Sequence, residues 1–258
     1  MVQDERRRRF IGRALAASAA GLPLLQPQAT WALPKTLPDT LRFAVSDSWV
    51  PPYIVRAQGE PVSGLMLDLI HLVAQAAPAR AVLVKLPSQR IDAAIHDGEV
   101  DLHCLISPTW YGPEGPPGRL GPALLVLEDV LVTREPGPPL ELPAQRGLRV
   151  GTVLGYRYDS LQSGFDVGAL RREDAPSPWH MLEKLRLGRT EAAVCDRRVL
   201  AHYNAARPEA ERLHVRQRVA RMPTYACVSP RSAWPQDLLL QVLQRVVKQP
   251  PMKRLLAG

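Results

Sequence analysis

Trp49 and Tyr53 stand four positions apart in Trp49-Val50-Pro51-Pro52-Tyr53, just after the alternating run Leu41 to Val45. Flat rings on a loop at a strand end can stack on a planar solute or cover an ammonium by cation–π attraction. The same rings can equally serve as core or hinge packing. Thr152 and the Gly155-Tyr156 turn follow a second alternating run, Leu148 to Val153. A turn of that kind presents backbone N–H groups to an anion. Trp179 and His180 open an amphipathic stretch and read as packing. Glu99, Glu114 and Glu128 are available as acids or bases, but none stands in a recognisable constellation. The chain shows no His/Cys/Asp set at metal spacing, no glycine-rich phosphate loop and no nucleophile elbow. The chemistry on offer is therefore non-covalent capture, with no cofactor and no metal expected.

The elements that must position these residues follow from periodicity. Leu41 to Val45 reads as a strand ending in the loop Ser46-Asp47-Ser48. Leu65, Leu69, Leu72 and Val73 recur at helical spacing until Pro78. Val82 to Val84 is a second strand, Ser88 to Asp97 a helix closed by Gly98, and Glu99 to Ile106 a third strand. Strand, helix, strand, helix, strand is the grammar of a parallel α/β layer. The Pro- and Gly-rich stretch 108–122 reads as a long loop, and Val126 to Thr133 as the next strand. A second cycle runs from the strand Leu148 to Val153, through a helix at Trp179 to Leu187 and the cap Gly188, to the strand Glu191 to Asp196. A closing helix is expected at Gln236 to Lys248. Ligands of such sheets sit at the carboxyl ends of the strands.

Arg6-Arg7-Arg8-Arg9-Phe10-Ile11 runs into a short apolar segment, Ala14 to Leu25, with the small-residue exit Ala29-Thr30-Trp31-Ala32. Basic head, short apolar run and small exit describe an export signal, and Arg7 to Ile11 fits the twin-arginine pattern. Cleavage is expected after Ala32. The apolar run is too short for a bilayer, which needs about 20 residues. Of the formal charge of +8, five arginines against Asp4 and Glu5 leave with the signal, so the remainder is near +5 with its basic residues scattered. Scattered charge is a poor footprint for nucleic acid, and no nucleic-acid partner is expected. Cys104, Cys195 and Cys227 are an odd number in apolar contexts and read as buried small hydrophobes.

In order along the chain, five stretches resemble type II periplasmic solute-binding proteins, specifically the family 3 group associated with amino-acid uptake. They are the aromatic-proline loop Trp49 to Tyr53; Gly64-Leu65-Met66-Leu67-Asp68-Leu69; Asp97-Gly98-Glu99-Val100-Asp101; Leu148 to Tyr156; and Leu187 to Asp196. The resemblance implies an α/β, two-lobed periplasmic-binding-protein-like type II fold, each lobe a mostly parallel sheet flanked by helices. Residues 1–32 would be the signal, 33–133 lobe 1 completed by 229–258, and 134–228 lobe 2. Two crossing strands, near Leu131 to Arg134 and Tyr225 to Val228, would join them. The function implied is a monomeric, non-catalytic periplasmic receptor that closes on a small polar or amino-acid-like solute. Its partner would be an inner-membrane ABC permease or a sensor protein. A cofactor-free dehydratase of a ring carboxylate on the same fold is the alternative.

The resemblance also carries site residues. Ser107, Thr109 and Trp110 follow the third strand, where relatives supply amides, hydroxyls and an arginine for the substrate carboxylate. Here that arginine is missing. Gly112-Pro113-Glu114 stands near its place, and the next arginine is Arg119, whose guanidinium could fork onto a carboxylate. Asp196 matches the acidic residue for a substrate amine, or else is solvated or hinge-bonded beside Arg197 and Arg198. With Trp49, Tyr53, Thr152 and Tyr156, these complete the expected ligand-binding set.

Overall fold

The structure, a computed structural model, describes residues 37–257. The export signal expected in residues 1–32 and its cleavage site lie outside them. The chain begins with β1 (Thr40–Ser46), a small hairpin of β2 (Val55–Ala57) and β3 (Glu60–Ser63), α1 (Leu65–Ala76), β4 (Arg80–Leu86), α2 (Ile91–Asp97) and β5 (Leu102–Ile106). A long strand, β6 (Arg119–Thr133), leads to a second cycle of β7 (Leu148–Val153), α3 (Asp159–Asp166), β8 (Leu170–Ala175), α4 (Pro178–Arg186), β9 (Ala192–Asp196) and α5 (Arg197–Ala205). The chain returns through β10 (His214–Val228) and ends in α6 (Gln236–Val246) and α7 (Pro250–Ala257).

Eight strands form one mixed sheet in the order β4-β1-β5-β10-β6-β9-β7-β8. Strands β6 and β10 each hold 15 residues, a length of about 50 Å at the usual rise per residue. They pair antiparallel from His214 opposite Thr133 to Val228 opposite Arg119. Within β4-β1-β5 and within β9-β7-β8 every pairing is parallel, whereas β10 meets β5, and β6 meets β9, antiparallel. The two long strands pair with each other, β10 with β5 and β6 with β9, and so join the two parallel groups in one sheet.

Among the elements that escaped the sequence pattern, three did so for a plain physical reason. Arg119 to Leu125 belongs to β6 and shortens the expected 108–122 loop, because the register against β10 satisfies its backbone despite the flanking glycines. Strand β8 reads Leu170-Arg171-Arg172-Glu173-Asp174-Ala175. It is an edge strand paired only with β7, so its charges face water. Helix α7 opens on Pro250 and Pro251, which read as a stop yet are tolerated in a first turn.

Helix α1 fixes the aromatic loop. Gly64 has φ 120°, and a Cβ there would lie 2.6 Å from the carbonyl oxygen of Tyr53. That close approach lets Leu65 N donate to the Pro52 carbonyl and Met66 N to the Tyr53 carbonyl, both at 3.0 Å. Two otherwise unpaired helix-start donors thus hold the loop. Met66, Leu69, Ile70 and Val73 of α1 pack beneath it in the core. The C-terminal return is tied down by Asp101, which is buried and accepts from Arg42 N (2.8 Å), Arg42 Nε (3.0 Å), Arg42 Nη2 (2.8 Å) and Ser232 Oγ (2.7 Å). The three cysteines are free and buried. Burial pushes the Cys104 and Cys227 thiols up to about 12, so they are inert at neutral pH.

Candidate functional site

A cavity of about 330 Å³ lies where the carboxyl ends of β1, β4 and β5 meet those of β7, β8 and β9. Trp49 and Tyr53 enter it from the loop after β1, Ser88, Gln89 and Asp92 from the segment after β4, and Trp110 and Tyr111 from the turn after β5. Opposite them stand Tyr156, Arg157 and Tyr158 after β7, Pro178 after β8, and Asp196 at the end of β9, with Asp129 in β6 between the two sets. Ligand sites of open α/β sheets collect at such strand ends, and the volume is of the order of a small-molecule pocket.

The two sets touch directly. Tyr53 Oη donates to Asp196 Oδ1 (2.9 Å), Ser48 Oγ and Tyr156 Oη share a hydrogen bond (3.0 Å), and Arg157 Nη2 donates to Asp92 Oδ2 (3.1 Å). The Arg157 guanidinium also lies over the Tyr111 ring, 4.5 Å from its centroid. Gly155, at φ 80°, makes the approach possible, since a Cβ there would come within 2.7 Å of Gln89 Cγ.

Trp49 is held both at its ring and at its backbone carbonyl. Its ring stacks on His103, with centroids 5.3 Å apart and planes at 24°. Arg56 donates from Nη1 to the Trp49 carbonyl and from Nη2 to the Ser46 carbonyl (2.9 Å). His103 Nδ1 lies 3.0 Å from the Ala44 carbonyl, which can only accept, so that nitrogen carries the proton. Burial holds the His103 ring below its ordinary value despite that bond, and it stays neutral at pH 7.

Two carboxylates face each other across paired strands, Asp129 on β6 and Asp196 on β9. Asp196 accepts from Tyr53 Oη, from Arg198 N (3.0 Å), as the cap of α5, and from Glu128 N (3.2 Å). Asp129 has no hydrogen-bond partner for its carboxyl among the described residues, and burial together with the Asp196 charge pushes it up to about 7. Burial likewise pushes the Tyr156 phenol up to about 12 and the Cys195 thiol well above its usual range. No group of three or more His, Cys, Asp or Glu among the described residues is placed to hold a metal ion.

Known structures share this arrangement of strands. An ancestral arginine-binding protein bound to arginine superposes with a TM-score of 0.72 at 15% identity, over 85% of this chain and 97% of that one. The fold is that of the periplasmic binding proteins. A periplasmic binding protein of Salmonella typhimurium with high arginine specificity gives 0.66 at 16% identity, over 84% and 97% of the two chains. An ancestral amino acid-binding protein described as a precursor of cyclohexadienyl dehydratase gives 0.67 at 16%, over 84% and 93%. No family model and no curated protein matches the sequence.

Within this binding-protein fold, the residues singled out from sequence separate into two groups. Trp49, Tyr53, Trp110, Tyr156 and Asp196 line the cavity. Ser107, Thr109, Arg119 and Thr152 do not. Ser107 is fully buried, its hydroxyl bonded to that of Thr109 (2.9 Å), and the pair shapes the turn that presents Trp110. Thr152 is also fully buried and donates to Asp174 Oδ1 (2.8 Å) on the neighbouring strand. Arg119 opens β6 on the exposed side and pairs with Asp237 of α6 at 2.6 Å. Its guanidinium is engaged there and not at the cavity, because β6 begins at Arg119 where a long loop was expected.

Asp129, His103 and Arg56 were missed. For Asp129 a signal existed, since a carboxylate breaks the apolar run Val126 to Thr133. Arg56 and His103 gave none, because their partners are backbone carbonyls and a ring brought near only by folding.

Proposed function

We propose that this protein is a non-catalytic, monomeric solute receptor of the periplasm. Residues 33–133 with 229–258 would form one lobe and 134–228 the other, closing on a small polar or amino-acid-like solute. The receptor would deliver that solute to an inner-membrane ABC permease or present it to a sensor protein. Export would follow the twin-arginine pattern at Arg7 to Ile11, with cleavage after Ala32. The observation that carries this reading is the cavity itself, built from strand ends on both sides of the β6–β10 pair and bridged by Tyr53–Asp196, Ser48–Tyr156 and Arg157–Asp92. A solute held there would touch both sides at once and so favour the closed population. The likeness to arginine- and amino acid-binding proteins supports the same class of ligand.

Thermal-shift screening of the purified protein against amino acids, organic amines, aromatic acids and sugars tests this, because a ligand of the folded state raises stability by mass action. A shift with at least one solute is expected, and silence across the panel would sink the receptor. One observation favours a second reading, a cofactor-free dehydratase of a ring carboxylate. The Asp129 carboxyl titrates near neutrality inside the cavity, as a general acid or base must. Loss of water from a ring acid, followed by ultraviolet absorbance, would turn the assignment towards the enzyme.

A further inference from the structure

We infer that the solute of this cavity is an organic cation without a carboxylate, with Asp129 as its counter-charge and the aromatic side chains as its walls. The inference rests on the receptor function proposed above and narrows its substrate class.

Charge is the first ground. The cavity is lined by three carboxylates, Asp92, Asp129 and Asp196, against one guanidinium, Arg157, and His103 is held neutral. Two of the carboxylates are occupied: Asp92 accepts from Tyr111 Oη (2.7 Å) and Arg157, and Asp196 accepts from Tyr53 and two backbone N–H groups. Only Asp129 is left without a donor among the described residues. Arg157, the one cation, is already held by Asp92 and by the Tyr111 ring. An incoming carboxylate would meet no free positive charge. It would have to rest on neutral donors, the Gln89 amide and the hydroxyls of Ser46 and Ser88, which bond to each other (2.8 Å), beside a net negative wall.

The rings are the second ground. Their polar tips are turned into the protein: Tyr53 to Asp196, Tyr111 to Asp92, Tyr156 to Ser48, and the Trp110 indole to Met222 Sδ (3.1 Å). What they leave to the cavity is ring surface, whose quadrupole attracts a cation and repels an anion. A half-buried carboxylate with no protein donor is incompletely solvated, and a cation seated against it offsets that cost.

Binding should therefore require Asp129 ionised. The groups that face it are Asp196 and Cys195 from β9 and Tyr156 and Tyr158 from the loop after β7, while β10 places Ala220 opposite it. The two tyrosines and the cysteine stay neutral at pH 7 because burial raises them.

The test uses matched pairs that differ by a carboxylate: choline and glycine betaine, agmatine and arginine, tyramine and tyrosine, titrated calorimetrically into the wild-type protein. At least one amine is expected to bind about tenfold or more tightly than its carboxylated partner. Asp129→Asn should weaken that amine about tenfold or more at unchanged melting cooperativity. Should the variant not fold, the cation that binds the wild type supplies the readout, because its charge stays fixed across neutrality and its affinity should rise as pH increases through about 7. Equal or tighter binding of the carboxylated partners overturns the inference and leaves the receptor standing. So does a bound amine unaffected by Asp129→Asn, or an affinity for it that is flat with pH. A screen in which amines, amino acids, acids and sugars all fail would overturn both.

Discussion

Two aspartates in this molecule, Asp101 in the core and the half-buried Asp129 in the cavity, have opposite fates. Asp101, at the junction of β5 with the C-terminal return, collects four donors from Arg42 and Ser232. Burial alone would raise its carboxyl, but those bonds outweigh burial and hold it below the ordinary value. Asp129, in the cavity, receives none, and the same burial with Asp196 beside it pushes its carboxyl up to about 7. Burial sets the stakes in both places and the donor supply decides the sign. Where the fold supplies donors, the carboxylate is structural. Where it withholds them, the carboxyl is raised towards neutrality.

The largest effect is expected at Asp101. Asp101→Ala strands the Arg42 guanidinium and should cost about 3 kcal/mol, read as a drop in the urea midpoint; a loss below about 1 kcal/mol would mean that the donors count for little. The contribution of Asp101 is fully present above its unfolded value near 3.9 and is lost as pH falls through its lower folded value. Asp129 has the opposite sign. Its folded value is raised, so protonated Asp129 costs nothing below about pH 4, and the penalty grows as pH climbs to about 7 and then levels off. Asp129→Asn should therefore gain about 1–2 kcal/mol at pH 8, after allowance for its opening to the cavity, and almost nothing at pH 4. A variant less stable than wild type at pH 8 would contradict the contrast.

Smaller effects sharpen the site's side of the comparison. Gly155→Ala places a side chain at φ 80° and against Gln89, at a cost of about 1 kcal/mol. It should also widen the molecule in small-angle scattering, and an unchanged radius would show that the Gly155 turn does not set the approach. Tyr53→Phe removes one donor from Asp196 and should cost about 1 kcal/mol in thermal or urea unfolding. Arg119→Ala breaks an exposed pair with Asp237 and should change stability by no more than about 0.5 kcal/mol, with solute affinity unaltered. A large loss of affinity there would restore Arg119 to the site.

Much of the frame was legible because local patterns report it. Leu148 to Val153 is a strand as expected, α1 runs where Leu65, Leu69, Leu72 and Val73 fall at helical spacing, and Gly98 closes α2 in a left-handed conformation. The aromatic loop was legible as well, since Trp49 and Tyr53 follow the end of β1 and reach the cavity. Strand β8 was not, because its charges look like a loop until β7 is beside it. The length of β6 and β10 was not either, because their pairing joins residues some 100 positions apart, such as Thr224 Oγ1 donating to the Leu125 carbonyl with |i−j| of 99.

By itself, then, the sequence determined the alternation of strands and helices, the strand-end loops and their aromatic residues, because periodicity, turn chemistry and ring size are properties of neighbouring positions. Which polar groups find partners was decided only in three dimensions. Thr152 turned to Asp174, Arg119 to Asp237, and Asp196 to Tyr53, while Asp129 was left open. Hydrogen-bond satisfaction depends on distances of about 3 Å between residues far apart in the chain, and only the assembled sheet sets those distances.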